Sequence, residues 1–236
     1  MPPFDRKIKI DEVLRQLSRD IGAEFVQGPG FELTMFGLGY SFGKVDAHVG
    51  PWTIRISSYA HQSRPRTEIY TPYLTSDGFR FSIQPAGVLE NLVKKLGLFR
   101  NVDVGFPEFD KRFFIKGNDK PRVRTLFADP KFRALIPAQP MFVMQVWDGP
   151  WSFKIGPAPF HWPENLDVLV LEVPGAIEGV GQLRMLFDMF IATLEQLCQL
   201  GVARKEPTGV KPWGRFRFSR PKLDRPRINP TTEGPA

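Results

Sequence analysis

Between Leu183 and Cys198, the apolar residues Leu183, Leu186, Phe187, Phe190, Ile191, Leu194, Leu197 and Cys198 recur at i, i+3, i+4, i+7, i+8, i+11, i+14 and i+15. That spacing predicts an amphipathic helix with a wide buried face, and a face this wide has to lie on a packed core. Arg184, Asp188, Glu195 and Gln199 line its narrow wet side, and Gly201 is the expected stop. Nothing beyond Gly201 keeps helical periodicity.

A shorter helix is predicted near the start. Asp11 is placed to cap it, and Val13, Leu14, Leu17 and Ile21 carry the helical spacing up to Gly22. From Phe25 to Phe81 the pattern changes to short aromatic and β-branched runs broken by Gly and Pro. Phe31 to Phe36, Lys44 to Val49, Trp52 to Tyr59, Thr67 to Tyr73 and Phe79 to Ile83 read as consecutive antiparallel strands. Val88 to Leu96 reads as a helix, Phe113 to Lys116 as a strand, Pro121 to Ile136 as one broken or two short helices, and Asp167 to Val173 as a strand. Phe142 to Val146 and Trp151 to Ile155 flank Asp148-Gly149, a hairpin signal because the turn needs positive φ. The expected fold class is α+β, a mostly antiparallel sheet with few helices, a long amphipathic C-terminal helix and an extended basic tail.

Two stretches match in residue class at every position: Gly50-Pro51-Trp52-Thr53-Ile54-Arg55-Ile56 and Gly149-Pro150-Trp151-Ser152-Phe153-Lys154-Ile155. Each follows a short strand and precedes another strand and then a helix, opened by Pro85-Ala86-Gly87-Val88-Leu89-Glu90 and by Val173-Pro174-Gly175-Ala176-Ile177-Glu178. The repeat supports a body, 1–201, built as two pseudo-repeated halves, 1–100 and 101–201. A seam between such halves is a natural ligand or partner site.

The net charge of +7 is concentrated at one end. From Val202 onward nine basic residues face three acidic ones, leaving 23 basic against 22 acidic in the body. Attraction to a polyanion is therefore a property of the tail, 202–236. Within it Lys211, Trp213, Arg215, Phe216, Arg217, Phe218, Arg220 and Lys222 interleave charge with aromatic surface, and Arg225 and Arg227 extend the basic run. That mixture suits docking on a protein, pairing with nucleic-acid phosphates while stacking on bases, or anchoring at an anionic membrane surface. Pro221, Pro226 and Pro230 favour an extended path over a helix. No stretch is apolar enough for a signal peptide or a transmembrane segment, so the expected location is cytoplasmic. The single cysteine, Cys198, excludes an internal disulfide and a multi-thiol zinc site.

The stretch Glu108-Phe109-Asp110-Lys111-Arg112-Phe113-Phe114-Ile115-Lys116-Gly117-Asn118-Asp119, running on through Val123, Leu126 and Arg133 to Leu135, resembles a segment that recurs in uncharacterised bacterial α+β proteins. In those a strand with the pattern Phe-Asp-basic-x-Phe leads into a short helix pair. The resemblance implies an α+β fold and supplies no catalytic residues.

Other constellations favour structural roles. Asp46, His48 and His61 form a conceivable metal set, but Lys44, Asp46 and His48 also make the solvated face of a strand whose buried face is Val45, Ala47 and Val49. His161 reads as a hydrogen-bonded residue in an aromatic loop. Glycines 28, 30, 37, 39 and 43 lack the spacing and following helix of a phosphate loop. The carboxylate pairs Glu108 with Asp110 and Glu164 with Asp167 read as solvated polar residues, and Cys198 as buried and inert. The sequence thus assigns no catalytic residue, metal or cofactor. It points to a non-enzymatic interaction or assembly protein whose tail straps a partner; the alternatives are polyanion binding through the tail and an enzyme with a site between the halves.

Overall fold

The computed structural model describes residues 3–28, 30–34, 37–61, 64–86, 101–138, 141–147 and 165–209. The helix predicted over 88–96, the strand over 151–155, His161, Glu164 and tail residues 210–236 lie outside these ranges. The fold is α+β. Helix α1 (Pro3–Asp20) precedes six strands, β1 (Glu24–Val26), β2 (Gly30–Thr34), β3 (Gly37–Val49), β4 (Trp52–His61), β5 (Arg64–Leu74) and β6 (Phe81–Pro85). Helix α2 (Pro107–Arg112), β7 (Phe113–Gly117), α3 (Lys120–Leu126), α4 (Pro130–Leu135) and a 3-10 turn (Ile136–Ala138) follow, then β8 (Val143–Trp147), β9 (Leu166–Pro174) and α5 (Val180–Gln199).

The strands form one sheet in the order β1-β3-β4-β5-β9-β8-β6-β7, with β2 also pairing β3, and every described pairing is antiparallel. Strand alternation gives the sheet buried rungs: Val45, Ile56, Ile69, Leu171, Met144, Ile83 and Ile115 are successive cross-strand partners, and Ala47↔Ile54 and Thr71↔Leu169↔Val146 lie buried beside them. All seven are fully buried, so a continuous line of side chains crosses seven strands and helps to fix their register. Ile10, Val13, Leu14 and Leu17 of α1 and the stripe of α5 complete this core. Helix α5 is buried beyond its predicted stripe, at Met189, Thr193 and Gln196, because α1 and α4 flank it. The phenylalanine content is explained at the β6–β7 end, where Phe81, Phe109, Phe113, Phe127, Phe132 and Phe142 pack in tilted, stacked and edge contacts with centroids 4.7–6.1 Å apart.

Both long helices stop as predicted, through the same device. Gly22 (φ 65°) and Gly201 (φ 71°) take the left-handed conformation. Ala23 N donates to Ser18 O at 2.7 Å, and Val202 N donates to Leu197 O at 2.9 Å. This is the Schellman arrangement, which uses up the last carbonyls and turns the chain sharply.

The role of Asp11 differs from the capping expectation. Helix α1 begins at Pro3, so Asp11 lies in its middle and is buried. Its Oδ1 accepts from Gly43 N and its Oδ2 from Gln27 Nε2, both at 2.6 Å. Gly43 sits where the β3–β4 register slips between Ser41 and Lys44. A bulge frees a backbone N–H from the ladder, and the carboxylate takes it. The fit is close: a Cβ on Gly28 would stand 1.8 Å from Phe42 O.

The strand predicted over Phe113 to Lys116 is β7, and the residues just ahead of it are helical. Asp110 accepts from the backbone N–H groups of Val104, Gly105 and Phe106 at 2.9–3.1 Å, which folds the preceding loop into α2. The strand starts only at Phe113. Asp119 and Asp129 then cap α3 and α4 by accepting from backbone N–H groups, and these two short helices are the pair predicted over 121–136.

Of the two Gly-Pro-Trp stretches, the first lies within the described residues and the second, from Gly149 to Ile155, lies outside them. Gly50 (φ 56°) and Pro51 make the tight β3–β4 turn, and β4 lies between β3 and β5. Strand β8 pairs with β9 and, on its other side, with β6. Strand β6, from the first hundred residues, is thereby held between β8 and β7 from the second.

Candidate functional site

The tail residues singled out from sequence, Lys211 to Arg227, lie outside the described residues, but the root of the tail is described. The turn at Gly201 drives Val202 into the core and lays Ala203 against the end of β5, and both are buried. Ala203 bridges Thr75, Ser76 N donates to Val202 O at 3.0 Å, and Arg204 N donates to Leu74 O at 2.9 Å. Two buried side chains and a short backbone ladder fix the point from which the basic segment departs. Val202 to Arg204 are thus packed against the end of β5.

The sheet face away from the main core carries a polar ladder. Arg55 Nε and Nη2 donate to the two carboxylate oxygens of Asp46, each at 2.6 Å, in a buried fork. Arg55 stands opposite Tyr70. Tyr59 donates to Glu68, and Arg66 pairs with Glu172. His48 is exposed, with Nδ1 3.1 Å from Thr53 Oγ1. Asp46 is thus held by an arginine, and among the described residues no group of three or more His, Cys, Asp or Glu is placed to hold a metal ion. Gly30 opens β2, Gly37 and Gly39 lie in β3, and Gly43 lies at its bulge.

Burial pushes the Tyr70 phenol up to about 12, against the opposing charge of Arg55. Above the ordinary value of 10.0 the unfolded chain releases this proton while the folded chain keeps it. Stability from this group is therefore complete below pH 10 and falls as the pH climbs from 10 to 12, by at most about 1.4 kcal/mol per pH unit. Tyr70→Phe is expected to flatten the alkaline limb of a plot of urea midpoint against pH. An unchanged limb would remove Tyr70 as its cause.

The carboxylate pairs resolve differently from expectation. Glu108 is exposed and pairs with Lys111 at 2.9 Å, while Asp110 serves the loop. Asp167, expected to be solvated, is buried at the middle of the sheet, where it stands opposite Tyr73. Arg80 Nη1 donates to its Oδ2 at 2.7 Å and also to Phe79 O at 2.9 Å. The sequence hid this because Asp167 opens a strand next to a proline-rich loop and its counter-ion is 87 positions away. Tyr73 and Arg80 come from 1–100 and Asp167 from 101–201, and these two stretches are joined by a nine-residue ladder, Arg66↔Pro174 to Leu74↔Leu166. Cys198 is half-buried, and burial raises its thiol pKa, which disfavours the thiolate a nucleophile needs.

No family profile and no curated protein matches this chain. Among solved structures it is similar to the mycobacterial trehalose monomycolate transport factor A, TtfA, with a TM-score of 0.47 and 12% identity, over 84% of this chain and 96% of that one. A likeness this distant carries no argument about what the chain does. Among the described residues no helix is long and apolar enough to cross a membrane.

Proposed function

We propose that this is a non-enzymatic interaction or assembly protein, in which the α+β body holds the root of the tail and residues beyond it strap onto a protein partner. The observation that carries this reading is the anchoring of Val202–Arg204 on β5, which gives the basic and aromatic segment a fixed origin. A fixed origin lowers the ordering cost of laying the segment along a second molecule. The contacts fall to Lys211, Trp213, Arg215, Phe216, Arg217, Phe218, Arg220, Lys222, Arg225 and Arg227. A cytoplasmic location belongs to the same proposal and is supported by the lone cysteine.

The test compares the full chain with a chain ending at Gly209, which keeps the buried root. Tagged and incubated with extract of the native source, the full chain is expected to retain a stoichiometric companion. The shortened chain loses at least about tenfold of that retention, equivalent to roughly 1.4 kcal/mol of contact, while unfolding at the same urea concentration. Equal retention by both chains would sink the reading.

The charge of the tail favours a second reading, binding of nucleic acid or of an anionic membrane surface. Retention of duplex DNA would then fall with salt by about 0.9 log units per log salt for each phosphate neutralised. Retention of RNA, DNA and anionic vesicles that is insensitive to salt or to the truncation would exclude it.

A further inference from the structure

Strand β7 ends the described strand order, and β6 is the strand it pairs with there. In an antiparallel strand the N–H and C=O of one residue point to the same flank, and the flank alternates along the chain. Ile115 N donates to Asn101 Oδ1 and Val102 N donates to Ile115 O, both at 2.8 Å. Both bonds therefore lie on the flank away from β6. Two residues earlier, Phe113 N donates to Phe109 O of α2. Groups that a further strand would use are thus already bonded, to a side chain, a single amide and a helix end.

The segment on that flank, Asn101–Phe106, spends its own backbone on side chains. Asp110 accepts from the N–H groups of Val104, Gly105 and Phe106 at 2.9–3.1 Å, and Arg124 Nε donates to Asp103 O at 3.0 Å. Val102 and Val104 are buried, and the Arg133 guanidinium lies 3.4 Å from the centre of the Phe106 ring. An added strand would carry the ladder outward and present a fresh row of donors and acceptors. This segment hands its amides to a carboxylate instead.

We propose that Asn101–Phe106 is a clip that closes the β7 edge of the sheet against pairing with a second copy of the chain. The excluded partner follows from symmetry. The edge is the same in every copy, so two β7 strands can meet antiparallel about a twofold axis, each bringing the same Ile115 donor and acceptor. Asn101 stands in for a strand carbonyl: its amide oxygen takes the N–H that a neighbour would take, without continuing the ladder.

In Asn101→Ala the acceptor is lost, and the Ile115 amide of the full chain is expected to exchange with deuterium about fivefold faster. Asn101→Asp keeps an acceptor in place and should stay within about twofold of the parent. Sedimentation equilibrium reads the closure itself. Asn101→Ala combined with Val102→Pro removes both bonds to Ile115, and this variant is expected to dimerise with a Kd at least about tenfold below that of the parent. Its Ile115 amide should regain protection as the dimer forms. If the double variant does not fold, Asn101→Ala alone decides, with a fall in Kd of about fivefold. Faster exchange at Ile115 with no gain in self-association would overturn the proposal. So would exchange at Ile115 that is unchanged in Asn101→Ala, or a parent chain that already dimerises with protection rising at this amide.

Discussion

Replacing Arg80 with alanine is expected to lower the unfolding free energy at pH 7 by about 3 kcal/mol, the low end of the loss when one partner of a buried ion pair is removed. The asymmetry of the pair sets the size. Asp167 keeps only 2% of its side chain exposed, so it stays buried without this counter-ion, while the quarter-exposed guanidinium it loses is replaced in part by water. Phe79 O loses a donor in the same step. Urea unfolding of the full chain measures the change as a fall in midpoint at constant slope. Arg80→Lys should recover part of it, since an ammonium restores the charge but not the planar geometry that serves both oxygens. A loss below about 1 kcal/mol would put the pair with surface bridges, whose contribution is small.

Ile69→Ala is expected to cost about 3–4 kcal/mol. Ile69 lies in the rung that runs from Val45 to Ile115 and touches a buried neighbour on each side, Ile56 and Leu171. Removing it opens a cavity between two strands that are themselves fixed by ladders, so collapse around the gap is limited. Ile8→Ala, on the outer surface of α1, provides the contrast. It is 54% exposed and should change stability by no more than about 0.5 kcal/mol. Similar losses at both positions would show that the rung is not where the stability of the sheet resides.

What could be read from the sequence was local. Helix α5 and its stop at Gly201 followed from periodicity and one glycine, and β3 to β5 from alternation between turn residues. Asp11 misled because a carboxylate ahead of an apolar stripe also marks a helix start; what it does depends on a bulge 32 positions away. Helix α2 went unread for a related reason, since Asp110 is spent on three backbone N–H groups that no periodicity reveals. Asp167 and Arg80, like the pairing of β5 with β9, are long-range meetings that leave no periodic trace. The tail was legible as chemistry from its composition, and its root became legible only once Val202 and Ala203 were seen inside the core.

The central ladder also constrains how the chain is made. Ile69 and Leu171 are direct partners yet 102 positions apart. During synthesis at about 5–20 residues per second, β5 is complete roughly 5–20 s before β9 exists to cover it. For that interval the nascent chain carries an open, apolar strand edge, the kind that recruits any other strand within reach. Chaperone supply during synthesis is therefore expected to raise the soluble yield in a foreign host, which expression with and without added chaperones measures.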